Sequence, residues 1–248
     1  MGKIQVNNIS KTFKDVIALD DVSFTLESGT ITGLIGPSAA GKSVLLKVLA
    51  GIYPQDSGTF DLGIENKKDV SLMFQEGALF DSMNVFDNVL FPLTRGGSLS
   101  LLSDEKREIY TKKAFEILYR VGLKASYLKM PGELSGGMQK RVSLARALVS
   151  TPSVVLLDDP TSGLDPVCSA IIMELIQELQ KEYNLTMIIV SHDLRRLFPA
   201  VSHLIAMFDG KVVYDDKIEN IKNITNEELR YFISCRYNIE DNLENNNA

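Results

Sequence analysis

An α/β fold is what this chain predicts: a core of βαβ units, flanked by an antiparallel β-subdomain and interrupted by a helical subdomain. Three observations carry that reading. Apolar and polar residues alternate early in the chain (Val22, Phe24 and Leu26 against Ser23 and Thr25), the period of a half-buried antiparallel strand. Short continuous apolar runs recur with helical segments between them, as buried parallel strands require. Residues 84–150 instead carry helical periodicity with caps.

The elements follow in order. The first thirty residues read as strands, with Gly29 at the turn. Ile31–Ile35 is an apolar strand, Gly36–Ser43 a glycine-containing loop, and Val44–Ala50 a helix closed by Gly51. Strands and turns return over 52–75, around Asp56-Ser57-Gly58 and at Val70–Phe74. Thr94–Ser103 reads as a loop or hinge. Ser103 caps a helix with Asp104 and Glu105 in its first turn, Ala114, Ile117, Leu118 and Val121 on one face, and Gly122 after it. A second helix runs from about Gly137 to Val149. Then come strand Val154–Leu157, helix Ala170–Lys181, strand Thr186–Val190 and helix Asp193–Phe198. A hairpin of Leu204–Phe208 and Lys211–Tyr214 turns at Asp209-Gly210. The pattern implies one domain over 1–237, with the helical subdomain at about 84–150 and a C-terminal extension at about 216–237. In that extension Glu227–Phe232 forms a short helix, expected to pack on a second copy. Residues 238–248, rich in Asn and Glu, read as a disordered tail.

Composition narrows the function. With 248 residues and 45% hydrophobic content the chain can bury a sizeable core. The formal net charge is −6, which argues against nucleic acid as a partner. Two cysteines, Cys168 and Cys235, make no disulfide framework and fit a reducing compartment. No apolar run has the length of a membrane span, and alternation at Ile4 and Val6 leaves no room for a leader. The expectation is a cytoplasmic globular protein.

Three segments carry chemistry. Gly36-Pro37-Ser38-Ala39-Ala40-Gly41-Lys42-Ser43 matches the phosphate-binding P-loop pattern between a strand and a helix. Loop and helix N–H groups there surround phosphate oxygens, Lys42 neutralises the β- and γ-oxygens, and the Ser43 hydroxyl ligates Mg²⁺. Val154–Leu157 ends in Asp158 and Asp159, which a parallel strand delivers to the ligand crevice. Asp158 would hold Mg²⁺ and Asp159 would orient or deprotonate water, although an acid at a strand end is also common at solvent. Leu134-Ser135-Gly136-Gly137-Met138 places a hydroxyl and bare N–H groups at a helix start; alone it is also an ordinary capped turn.

These segments in this order, with Gln75 before and His192 after, resemble the ATP-binding subunit of ABC transporters over residues 3–215, on a P-loop NTPase (RecA-like) core. Residues 36–43 look like Walker A, 154–159 like Walker B, Gln75 like the Q-loop glutamine, Leu134–Met138 like the signature loop, Ser162–Asp165 like the D-loop and His192 like the switch histidine. Phe13 resembles the aromatic that stacks on adenine. The resemblance implies ATP and Mg²⁺ as cofactors and a homodimer closing head to tail, each ATP lying between Walker A of one chain and the signature loop of the other. Ser135, Gly136 and Gly137 would then clamp the partner's γ-phosphate. Gln75 would touch Mg²⁺ and the attacking water, and His192 the γ-phosphate. It also implies membrane permease subunits that hold the chain on the cytoplasmic face of the inner membrane.

A narrower resemblance lies in Phe74–Phe80 and Met83–Val89, together with Val44 and the Lys140-Arg141 pair after the signature. It is similar to the Mla-type ATPases of phospholipid trafficking, whose permeases work with Mce-domain lipid-binding partners. Ala78–Phe80 and Val85–Val89 are then expected to form the groove for a permease coupling helix. Four positions depart from the family pattern. Asp159 stands for glutamate, one methylene shorter, which implies either slow turnover or a compensating shift of the backbone. Ala39 stands where glycine is common and is strained if φ is positive. Val44 lacks a hydroxyl, and Met138 replaces glutamine. Two rival classes stay open: a non-transport ABC ATPase, and a nucleotide switch with little hydrolysis.

Overall fold

The computed structural model describes residues 2–65 and 69–237. β1 (Ile4–Phe13) and β2 (Val16–Leu26) form a hairpin, and β4 (Ser57–Asp61) pairs with the other edge of β1, giving a three-stranded antiparallel sheet. The second sheet holds β3 (Ile31–Ile35), β5 (Val70–Met73), β6 (Val154–Asp158), β7 (Thr186–Val190), β8 (His203–Phe208) and β9 (Lys211–Lys217). Its order is β5-β6-β7-β3-β8-β9, parallel except for the β8–β9 hairpin.

Period-two geometry splits the central strands between two cores. Val154, Leu156, Ile188 and Val190 face one cluster, shared with Leu45, Leu46 and Leu49 of α1 (Lys42–Leu49) and with the antiparallel sheet. Val155, Leu157, Met187 and Ile189 face the other, shared with α5 (Pro166–Tyr183) and the helical subdomain. With both faces covered, β3, β6 and β7 are buried at every residue, which is why they read as unbroken apolar runs.

The helical subdomain contains α2 (Val85–Thr94), α3 (Asp104–Arg120) and α4 (Gly136–Leu148). Ser103 caps α3 and Ser135 caps α4 through their hydroxyls. Thr94–Ser103 is largely irregular, with one 3₁₀ turn at Leu99–Leu101. The sequence pattern does not announce α2, because Pro92 lies inside it. Proline removes one backbone hydrogen bond, but Asn84 caps α2 by accepting from the Asp87 N–H, and Val85, Val89 and Leu90 are buried. That burial corrects the expected groove. Val85 and Val89 face the core at 0% exposure, while Phe80 keeps 38%. An open groove beside α2, about 330 Å³, is lined instead by Met83, Asp87, Phe91 and the loop from Gly96 to Leu99.

α6 (Leu194–Leu197) leads into β8, and α7 (Glu227–Ser234) closes the described chain. α7 forms as expected, but its apolar face is buried inside its own chain rather than kept for a second copy. Leu229, Phe232 and Ile233 are buried, and the Phe232 ring lies 5.7 Å from that of Phe208. The tail expected over 238–248 lies outside the described residues.

Asn88 has no exposed surface and organises the approach to α2. Its Oδ1 accepts from the Phe80 N–H at 2.8 Å, and its Nδ2 donates to the carbonyls of Phe80, Met83 and Asn84. Alanine removes the partner of the Phe80 N–H and of the Met83 carbonyl, while the Phe80 and Asn84 carbonyls keep their bonds from the Met83 and Asn88 N–H groups. Asn88→Ala should cost about 1–3 kcal/mol in urea unfolding; a loss within about 0.5 kcal/mol, the range of a surface substitution, would show that the network contributes little.

Candidate active site

The parallel strands bring their C-terminal ends to one edge, and a cleft of about 420 Å³ opens there. Phe13, Ser38–Val44, Gln75, Asp158, Asp159 and His192 line it together. Gly36 and Pro37 lie behind the loop and turn their carbonyls to Lys42, whose Nζ donates to both, at 2.8 and 2.6 Å. Gly36 and Gly41 have φ of 145° and 93°. A Cβ on Gly36 would stand 2.0 Å from the Met207 carbonyl oxygen, and one on Gly41 2.3 Å from that of Ala18. Only glycine fits either place.

Ala39 adopts φ 65°, so the strained alternative is the one realised. Val44 lies in the first turn of α1 and lines the cleft. The Ser43 hydroxyl donates to Asp158 Oδ1 at 3.0 Å. Among the described residues no cluster of three or more His, Cys, Asp or Glu side chains could hold a metal. A hydroxyl, one carboxylate and the Gln75 amide oxygen are hard oxygen donors. They fit a Mg²⁺ that completes its shell with phosphate and water.

Lys42 is buried, and burial lowers its pKa although Asp158 and Asp159 oppose the shift. An anionic ligand in the loop relieves that cost. Asp159 is 6% exposed and its pKa is raised, chiefly by burial; His192 and Lys140 oppose this and Asp158 adds to it. Asp159 sits at φ 47°, with its N–H donating to the Val190 carbonyl and its own carbonyl accepting from Ser162.

Phe13 is 37% exposed and packs edge-on against Tyr53, so it is a surface platform rather than core. Beside it Val16 and Ile17 are exposed and line the same cleft with Ala18 and Val190. The motifs do not include Val16, Ile17 or Ala18, and Val190 enters them only as the residue before Ser191-His192. The only signal is an apolar Val16-Ile17-Ala18 run directly after a turn. Ser135, Gly136 and Gly137 do not line the cleft. They begin α4 beside the D-loop, where Gly137 packs near Leu164 and Cys168, and Met138 packs against the main core. One chain therefore does not assemble all the expected site residues in one place.

A further set of contacts is not foreseen from the motifs. Lys140 is 8% exposed, and burial lowers its pKa against Asp159, Asp158 and Glu76. Its Nζ donates to the Gln75 carbonyl and, at 3.0 Å, to Ser162 Oγ. Ser143 Oγ donates to the Gly77 carbonyl at 2.9 Å, and Arg146 donates to the carbonyls of Gly77 and Ala78.

A phosphate-binding loop on a parallel strand edge, an antiparallel sheet carrying an aromatic platform and an inserted helical subdomain define a P-loop cassette. The family model described as ABC transporter matches residues 19–162, and the chain belongs to that family. It is 39% identical over 218 residues to the Fe(3+) ions import ATP-binding protein FbpC of Agrobacterium fabrum, covering 85% of this chain and 60% of that one. This chain thus spans about 60% of the length of that relative. It is 31% identical to the intermembrane phospholipid transport system ATP-binding protein MlaF of Escherichia coli, covering 93% of this chain and 88% of that one. A solved dimeric ATP-binding cassette in a post-hydrolysis state with ADP and Pi superposes with a TM-score of 0.75 at 28% identity, covering 87% of this chain and 98% of that one. Among the described residues no helix is long and apolar enough to cross a membrane.

The Asp159 shift has a stability consequence. A carboxyl whose folded pKa lies above its unfolded value binds an extra proton in the folded state between the two. Folding stability therefore falls as pH rises through that window and stays lower above it. Asn keeps the shape, tolerates the left-handed backbone and removes the charge. Asp159→Asn should melt higher than wild type at neutral pH, and the gain should vanish below the ordinary carboxylate range, near pH 3–4. Equal melting temperatures at every pH would rule out burial of the charge as a cost.

Proposed function

We propose that the chain is the ATP-binding and ATP-hydrolysing subunit of a membrane transporter, working as a homodimer with permease subunits on the cytoplasmic face of the membrane. The observation that carries this is the convergence of Lys42, Ser43, Gln75, Asp158, Asp159 and His192 on one cleft, while Ser135–Gly137 project elsewhere. Two copies closed head to tail would complete each site.

In that reading the adenine lies on Phe13, flanked by exposed Val16 and Ile17. The N–H groups from Ser38 to Val44 receive the phosphate oxygens, and Lys42 faces the β- and γ-phosphates. Ser43, Asp158 and Gln75 would hold Mg²⁺, which would supply positive charge to the phosphate oxygens. Asp159 accepts a proton from water as its oxygen bonds to the γ-phosphorus. The bond from that phosphorus to the β–γ bridging oxygen breaks, leaving ADP and inorganic phosphate. His192 hydrogen-bonds the γ-phosphoryl oxygens. The partner's signature loop closes over them with Ser135, Gly136 and Gly137. Asp159, shorter than glutamate, makes turnover slow by up to about 10²-fold.

The cargo class we favour is phospholipid or a related lipid, with an Mce-type lipid-binding partner beyond the permease. Residues 74–89 and the Lys140-Arg141 pair support it, as does likeness to MlaF along nearly the whole of both chains. The permease coupling helix would dock in the groove of Met83, Asp87 and Phe91.

The test is phosphate release from Mg-ATP, alone and with the co-purified permease, for wild type and Asp159→Asn. Wild type should release phosphate. Asp159→Asn should lose nearly all release, on the order of 10²-fold or more, and elute as an ATP-bound dimer. Undiminished release in Asp159→Asn removes Asp159 as the base. No release by wild type even with its permease favours the nucleotide switch. Co-purification with a sugar- or metal-binding partner would overturn the lipid assignment alone.

A further inference from the structure

On the face of α4 made by Lys140, Ser143 and Arg146, Lys140 and Ser143 are buried and Arg146 is half-buried. These residues follow one another at intervals of three, so they project to one side of the helix. All three donate to carbonyls of a single segment, Gln75 to Ala78. The helix that begins with the signature loop is thus fastened to the loop that carries Gln75. Lys140 does one thing more. Its ammonium also donates to Ser162 Oγ, and Ser162 belongs to the turn after Asp159, held by its N–H to the Asp159 carbonyl at 3.1 Å. Three segments meet on one buried cation: the start of α4, the Gln75 loop and the loop after Walker B.

We propose that Lys140 is a positioning residue that couples the two half-sites of one protomer, because its ammonium joins the Gln75 carbonyl to the Ser162 hydroxyl. This rests on the dimeric ATPase reading above. Gln75 serves the nucleotide bound by its own chain, and the signature loop at the head of α4 serves the nucleotide of the other. Displacement of Gln75 when its own nucleotide binds pulls on Lys140. Through Lys140 it reaches both Ser162 and the second turn of α4, one turn from the signature residues. Lysine suits this junction because three donors on a compact head can hold two oxygens from different loops at once. A charge-assisted bond to a buried carbonyl resists the separation of the segments it joins.

The experiment measures the ATP dependence of phosphate release by the full chain, with its permease, for wild type, Lys140→Met, Lys140→Arg, Ser162→Ala and the Lys140→Met/Ser162→Ala double variant. Binding of a fluorescent ADP reports the nucleotide site separately. Wild type should give a sigmoidal curve. Lys140→Met keeps the stem and loses every donor; it should give a hyperbolic curve with the maximal rate down about tenfold and ADP affinity within about twofold, since Lys140 touches no nucleotide-lining group except through Gln75. Lys140→Arg should restore most of the sigmoidal response. Ser162→Ala should weaken it, and the double variant should be no worse than Lys140→Met. Equal cooperativity and rate in wild type and Lys140→Met would overturn the proposal, as would losses that multiply in the double variant. Should Lys140→Met fail to fold, wild-type cooperativity in Ser162→Ala overturns it equally. A wild type without phosphate release would count against the ATPase reading itself.

Discussion

The buried ammonium of Lys42 is the constraint on which the site depends. It lies under its own loop, accepted by the carbonyls of Gly36 and Pro37, and that pair of bonds holds the loop in a tight turn around the ammonium. The turn is possible only because the loop is clamped on two sides. β8 approaches Gly36 through Met207, and β2 approaches Gly41 through Ala18, each too closely for any Cβ. The antiparallel sheet therefore does more than carry Phe13: it forms one wall of the phosphate loop. A cation held this way still pays for burial, as its lowered pKa shows. That makes the loop a place where negative charge is favoured.

Strand order explains why the cleft gathers what it does. β3, β6 and β7 lie side by side and point the same way. The residues following each strand, 36–43, 159 and 191–193, therefore emerge at one edge, and β5 adds Gln75 from the flank. The signature residues follow a different logic. They cap α4 in the helical subdomain, where Ser135 Oγ accepts from the Met138 N–H, and they abut the loop that follows Walker B. Strand edge and helix cap thus place the cleft residues and Ser135–Gly137 on two separate surfaces of one chain.

The buried strands are legible in the sequence because each, covered on both faces, has to be apolar at every residue. The phosphate loop is legible because its glycines and lysine answer to sterics and charge that few other residues satisfy. Pro92 hides α2, since a proline in an apolar segment reads as an ending and the compensating cap at Asn84 lies at the other end. Val85 and Val89 read as a docking face because an apolar residue beside a motif looks the same whether it meets a partner or its own core. Lys140 enters the sequence reading only through its pairing with Arg141 after the signature, and Ser143 and Arg146 carry no pattern at all; only the course of the Gln75–Ala78 segment reveals what the three side chains hold. Val16 and Ile17 have strand-like composition, and nothing local says that their side chains border a cleft.

Asp159 is where backbone, burial and chemistry meet. The turn that follows β6 is fixed at both ends, by the Asp159 N–H on Val190 and by the Asp159 carbonyl under Ser162, and it requires φ near 47°. For an ordinary side chain the left-handed region costs about 1–2 kcal/mol, and Asp and Asn are the non-glycine residues that visit it most readily. An aspartate here is therefore not only a glutamate cut short by one methylene. It is the acid that the turn accommodates best, with Lys140 and His192 near enough to favour its charge against burial. In the proposed reaction the shorter reach would act on the water-attack step alone, whereas the easier backbone acts on the folded chain whether or not nucleotide is present. The two effects fall on different steps, so a low hydrolysis rate is compatible with a fully formed and stable site.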